Sequence, residues 1–157
     1  MEIVLLTIGK TSDKEIESLT EKYVARLRHY ISFRIENLPD VKRSKGNSPE
    51  RQKELEGELI LNRIESSDHL SLLDERGEEM TSGEFAGLLQ KRMLSGLRRL
   101  VFAIGGPYGF SKAIYSRADS KISLSRMTFN HEMVRMFFVE QIYRGMTILK
   151  GEPYHHE

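Results

Sequence analysis

Apolar positions along this chain recur in two rhythms, and their alternation predicts the order of its elements. Ile3 to Ile8 is an unbroken aliphatic and β-branched run closed by Gly9-Lys10, the pattern of a strand covered on both faces. Ile16, Leu19, Tyr23 and Leu27 then follow at helical spacing up to about His29, behind Ser12-Asp13-Lys14-Glu15, which has the spacing of a capping box. Ile31, Phe33 and Ile35 alternate with polar residues, as in a second strand with one wet face. After a polar stretch from Pro39 to Ser48, the sequence Ser48-Pro49-Glu50 opens another helix with Leu55, Leu59 and Ile60 on its inner side.

Leu70 to Leu73 predicts a third strand, ending in the turn Asp74-Glu75-Arg76-Gly77. Thr81-Ser82-Gly83-Glu84 is a second capping box, and its helix carries Phe85, Leu88, Leu89 and Met93 as far as the stop at Gly96. Arg99 to Ile104 is a fourth strand, which runs into Gly105-Gly106-Pro107-Tyr108-Gly109-Phe110-Ser111. A short helical stretch from Ser111, a fifth strand over Lys121 to Ser125, and a long apolar helix from about Asn130 to Lys150 complete the chain. Strands alternating with helices predict an α/β fold with a mainly parallel sheet flanked by helices. The length of 157 residues suits a single domain spanning 1–157.

Composition narrows the function classes. With 24 Lys and Arg against 23 Asp and Glu the formal net charge is +1, so any nucleic-acid contact is expected to be local and not a broad basic surface. Lys42, Arg43 and Lys45 form a small basic cluster readable as solvated charge or as a phosphate contact. The absence of cysteine removes disulfides and thiolate chemistry and suits a reducing compartment. The apolar run at the amino terminus is too short for a signal peptide and no stretch approaches a membrane span, so a cytoplasmic protein without membrane contact is expected.

The glycine-rich turn after the fourth strand is the strongest local motif. Bare backbone there lets N–H groups approach a ligand, and the next helix adds partial positive charge; equally, the glycines could simply serve a tight turn. Five residues after Gly105 stands Phe110, so the spacing is not that of a P-loop. Pro107 and Tyr108 occupy the positions where a dinucleotide fingerprint needs its second glycine.

Further blocks follow in order: Leu72-Leu73-Asp74, the glycine turn, Ser123 to His131, Val134-Arg135, Glu140-Gln141-Ile142-Tyr143-Arg144 and Pro153-Tyr154-His155. Together they resemble the RlmH family, bacterial SPOUT-class methyltransferases that modify N3 of a pseudouridine in 23S ribosomal RNA of the large subunit. The resemblance spans essentially the whole chain. It implies a trefoil-knotted α/β domain at the C-terminal side, S-adenosylmethionine as cofactor, a homodimer, and action on the ribosome. It carries the cofactor pocket over to Leu73, Gly105, and the loop Leu124, Ser125, Arg126, Met127, Thr128 and Phe129. Arg126 and Met127 are bulkier than such a loop requires, which leaves their backbone rather than their side chains for that role.

Methyl transfer to the N3 imide is an in-line displacement helped by alignment and by a base or an anion-stabilising cation. The resemblance implies catalytic roles for Arg135, Glu140, Arg144, Tyr154 and His155, and substrate contacts for His131, Arg135 and Arg144. Helical spacing puts His131 with Arg135 and Glu140 with Arg144, while Arg135 and Arg144 point roughly oppositely. Glu140 and Arg144 could also be only an intrahelical ion pair. The apolar residues Met133, Val134, Met136, Phe137, Phe138, Val139 and Ile142 wrap most of the last helix, more than a one-sided core needs, which predicts a dimer interface. No metal is expected: His131-Glu132 lacks a second histidine four residues on, and the adjacent His155-His156 is a poor chelate.

Overall fold

A computed structural model describes residues 1–41 and 48–156. The Lys42–Lys45 cluster lies outside the described residues. Five strands, β1 (Glu2–Ile8), β2 (Ser32–Leu38), β3 (His69–Glu79), β4 (Arg99–Ile104) and β5 (Ser120–Ser123), form one sheet in the order β2-β1-β4-β3-β5. All pairs are parallel, as the alternation of strands with helices predicts. The helices are α1 (Lys14–Leu27), α2 (Pro49–Leu61), α3 (Ser82–Leu94), α4 (Lys112–Arg117) and α5 (His131–Lys150).

Each face of the sheet has its own core. Ile3 and Leu5 of β1 point into a cluster with Phe85 and Leu89 of α3 and Phe138, Val139, Ile142 and Met146 of α5. Val4, Leu6 and Ile8 point the other way, onto Ile60 of α2 and Ile114 of α4. This two-sided burial is why β1 reads as a continuous apolar run. The wrap of apolar residues around α5 has a partly internal cause, since α5 packs between α1 and α3.

Three of the local stop and start signals hold. Ser48 caps α2 with Pro49 in its first turn, Thr81 and Glu84 form a reciprocal capping box on α3, and Gly96 turns the chain at φ 76°. Three readings need correction. The cap of α1 is Asp13, whose carboxylate accepts from the Glu15 and Ile16 amides, because Ser12 is engaged by Glu132. Leu19 is exposed at 39 %, and Thr20 is buried in its place beside the expected Leu27. The third strand does not end at Leu73: after a register shift, Glu78 and Glu79 pair with Ile122 and Ser123, so β3 lies along the whole of β5.

Two of the buried polar side chains tie α5 to the start of α1. The Glu132 carboxylate accepts from the Ser12 amide (2.9 Å), the Ser12 hydroxyl (2.7 Å) and the Asp13 amide (3.0 Å). These donors hold its pKa down at about 2. One turn on, Arg135 donates to the carbonyls of Ile8 (2.7 Å) and Gly9 (3.1 Å) and to Thr11 Oγ1 (3.2 Å). Both residues thereby pin the loop that leaves β1.

Candidate active site

The strand ends β3, β4 and β5 converge on a cavity of about 510 Å³, at the carboxyl edge where parallel sheets place their ligands. Leu73 and Asp74 form one wall, Ile104 to Phe110 a second, and the loop after β5 a third. The glycine turn is a β-turn in which the Gly109 amide donates to the Gly106 carbonyl (3.0 Å), with Pro107 at its second position and Gly109 at φ 79°. A Cβ on Gly105 would stand 3.2 Å from the Gly109 carbonyl group, and one on Gly106 would stand 2.3 Å from the Glu56 carboxylate. A side chain would be crowded at both places, by backbone at Gly105 and by the Glu56 carboxylate at Gly106.

Of the residues expected around the cofactor, Leu73, Gly105, Leu124, Ser125, Met127, Thr128 and Phe129 all line this cavity, as does His131. Arg126 does not: its side chain is 87 % exposed and pairs with Glu79 at 3.2 Å. The loop is shaped by its own hydroxyls, with Ser123 Oγ donating to the Ser125 carbonyl and the Met127 amide donating to Ser125 Oγ. Residues not singled out from sequence complete the lining: Lys53 from α2, and Tyr115 from α4, whose hydroxyl donates to Asp74. Burial and that bond push the Tyr115 phenol up to about 12, so it stays protonated. Nothing in the local sequence marks Tyr115, since its role depends on a partner in β3.

The second group of expected residues gathers at the other end of α5. Gly151 at φ 68° ends the helix, and the Glu152 amide donates back to the Thr147 carbonyl, a Schellman turn that folds the tail onto α5. Tyr154 then donates to Glu140 Oε1 (2.9 Å), Arg144 donates to the same oxygen (2.7 Å), and the Arg144 guanidinium lies 4.8 Å from the Tyr154 ring centroid. His155 Nδ1 stands 3.4 Å from Arg144 Nη1; because arginine only donates, Nδ1 is the acceptor and the proton of a neutral ring lies on Nε2. Burial, together with bonds to Tyr23 and Glu140, raises the Tyr154 pKa well above that of free tyrosine, making Tyr154 a donor and not a base. Glu140, Arg144, Tyr154 and His155 are thus one constellation. Arg135 is not part of it and does not line the cavity; it is 3 % exposed, with its two Nη groups donating to the Ile8 and Gly9 carbonyls and to Thr11 Oγ1, so the structure does not bring it to its expected catalytic and substrate-binding positions.

A surface of exposed apolar side chains adjoins the cavity: Met127 (77 % exposed), Met133 (39 %) and Phe129 (38 %), the last in ring contact with Phe137. Among the described residues, no helix is long and apolar enough to cross a membrane, and no three His, Cys, Asp or Glu side chains are grouped to hold a metal.

Comparison with known proteins bears on the whole chain. The family model described as predicted SPOUT methyltransferase matches residues 1–155. Proteins named ribosomal RNA large subunit methyltransferase H are 57 % identical in Christiangramia forsetii, over 99 % of both chains, and 57 % identical in Porphyromonas gingivalis, over the full length of both. The protein of that name in Flavobacterium johnsoniae is 54 % identical, again over both full lengths. Among solved structures, the SpoU methyltransferase AviRb of Streptomyces viridochromogenes, in complex with AdoMet, overlaps 96 % of this chain and 61 % of its own, at 12 % identity and a TM-score of 0.46. With a family match from end to end and full-length relatives more than half identical, the chain belongs to the SPOUT methyltransferase family, in the group called ribosomal RNA large subunit methyltransferase H.

Proposed function

We propose that this protein methylates N3 of a pseudouridine in 23S ribosomal RNA on the assembled ribosome, as a cytoplasmic homodimer using S-adenosylmethionine. The observation that carries this reading is the pairing of a glycine-walled cavity at the strand ends with a Glu140-Arg144-Tyr154-His155 constellation, in a chain whose full-length relatives bear the rRNA methyltransferase name. The cavity fits the cofactor. Its volume lies in the range of small-molecule sites, and Leu73, Ile104, Leu124 and Phe129 supply apolar walls for an adenine ring beside the free backbone of the glycine turn. When bound, the cofactor supplies a sulfonium methyl open to in-line displacement.

The chain's own residues provide alignment and charge. For N3 to accept a methyl group the imide must pass its proton to water, and the negative charge this leaves on the ring needs a donor beside it. Arg144 is the donor suited to that charge, through the N–H groups that its bond to Glu140 leaves over; Tyr154 gives its one hydroxyl hydrogen to Glu140 and so helps to fix Glu140 and Arg144 in place. The constellation and the cavity cannot serve one nucleotide within one chain: Arg144 lies thirteen residues beyond His131 on the same helix, a span of roughly 20 Å at 1.5 Å per residue. In the homodimer the tail of one protomer completes the cavity of the other, and the exposed Met127, Phe129 and Met133 are covered. The same reading includes the family's trefoil knot. It agrees with the parallel pairing of β5 beside β3, where a Cβ on Gly77 would lie 2.5 Å from the Ile122 carbonyl carbon, and with α5 packing on the opposite face from α4.

The test is transfer of labelled methyl to ribosomes lacking the modification, with free large-subunit RNA in parallel. Label confined to one large-subunit pseudouridine is expected, and only with ribosomes. RNA binding without any transfer would instead identify a non-catalytic RNA-binding module.

A further inference from the structure

Arg26 stands in the last turn of α1, beside the tail constellation but on a different element. Its guanidinium lies 5.4 Å from the ring centroid of Tyr23 and 5.9 Å from that of Tyr143. Those two rings pack on each other at 5.8 Å, Tyr143 meets Tyr154 edge-on at 4.9 Å, and the Tyr23 hydroxyl is 3.3 Å from the Tyr154 hydroxyl. One layer of aromatic side chain therefore separates Arg26 from the residues proposed to act on the substrate. The residue is exposed, and among the described residues it has no carboxylate within ion-pairing distance and no acceptor for its side-chain N–H groups. Arg144 is the contrast, since Glu140 holds one of its guanidinium nitrogens at 2.7 Å.

An exposed arginine without a partner ordinarily samples many rotamers. Here two ring faces restrain it while leaving its planar fork of donors free, and that fork matches a phosphate group in two-point contact. We propose that Arg26 binds a backbone phosphate of the substrate RNA next to the nucleotide presented to the tail. The proposal rests on the function proposed above. It also accounts for how a chain of net charge +1 grips a polyanion: with 24 Lys and Arg offset by 23 Asp and Glu, the cations that count are those without a carboxylate partner, fixed in place at the site.

The experiment compares wild type, Arg26→Gln and Arg26→Lys for binding to ribosomes lacking the modification across a salt series. Single-turnover and steady-state methyl transfer are measured alongside, with S-adenosylmethionine affinity by calorimetry. Arg26→Gln is expected to raise KM for ribosomes about tenfold and to lower the slope of log affinity against log salt by about 0.7 to 0.9, with kcat and cofactor affinity unchanged. Arg26→Lys should recover the slope and part of the affinity, because it keeps the charge but not the fork. An unchanged salt slope in Arg26→Gln, or a fall in kcat at constant KM, overturns the assignment while leaving the methyltransferase reading intact. Wild-type protein that neither binds nor methylates ribosomes overturns both.

Discussion

Replacing Glu132 by Gln should destabilise the protein in a pH-dependent way, because one carboxylate serves three donors at the start of α1. Hydrogen bonds to a charged group contribute about 1.5–3 kcal/mol each, more than neutral ones. Gln keeps one oxygen for Ser12 but turns an NH₂ toward the Asp13 amide, so that donor loses its acceptor while the other two bonds become neutral. The carboxylate also faces the positive end of α1, worth about 0.3–1 kcal/mol. A net loss of about 2–3 kcal/mol follows, or roughly 5–10 °C in Tm at this chain length. The sign with pH follows from the depressed pKa: folding lowers it from the ordinary 4.5 to about 2. The contribution is therefore complete above the unfolded value and is lost as pH falls from about 4.5 toward about 2. Urea unfolding of both proteins at neutral pH and near pH 3 measures this. The gap between them should be full at neutral pH and less than half as large near pH 3. A gap under about 0.5 kcal/mol at neutral pH, or one of equal size at both pH values, would refute the reasoning.

Gly105→Val should weaken S-adenosylmethionine binding by more than about tenfold in calorimetry, since its methyl groups must occupy space already 3.2 Å from the Gly109 carbonyl; unchanged affinity would remove this turn from the pocket. His155→Ala should lower turnover more than cofactor affinity, and the opposite pattern would move His155 from the chemistry to cofactor support. Mixing Gly105→Val and His155→Ala subunits should restore part of the methyl transfer that each lacks alone, because one mixed dimer contains one intact composite site; no recovery in verified mixed dimers would confine each site to a single chain. Gly77→Ala should cost about 3 kcal/mol or more in urea unfolding, because the atoms within 2.8 Å of the added carbon are all Ile122 backbone; a loss under about 0.5 kcal/mol would mean the two strands can separate freely.

The features legible in the sequence are those with a local cause. Thr81 with Glu84, Ser48 before Pro49, and Gly96 signal their elements because each cap is satisfied within a few residues. The double-sided burial of β1 shows directly as its unbroken apolar run. What stayed hidden depends on distant partners. Ser12 loses its capping role to a carboxylate 120 positions away, and Arg135 resembles a substrate-binding cation until the carbonyls of Ile8 and Gly9 are seen around it. Asp74 to Gly77 reads as a turn that ends the strand, yet Glu78 and Glu79 just after it are held as strand by β5. In α2 the inner face includes Gln52 and Glu56, where apolar spacing favoured Leu55 and Leu59. The cavity was readable as a set of ordered blocks, although no single block fixes it, since its walls come from three strand ends and three helices.

The position of α5 has a consequence for how the protein is made. Phe138, Val139, Ile142 and Met146 fill the core between α1 and α3, yet they are synthesised only after all five strands. A chain still attached to the ribosome has all its strands before it has the helix that covers one face of the sheet. That face remains wet and adhesive until α5 has emerged, so folding depends on contacts of long sequence separation. Termination upstream of α5 would release a sheet without its cover, and the expected fate of that product is aggregation or proteolysis rather than a smaller folded protein.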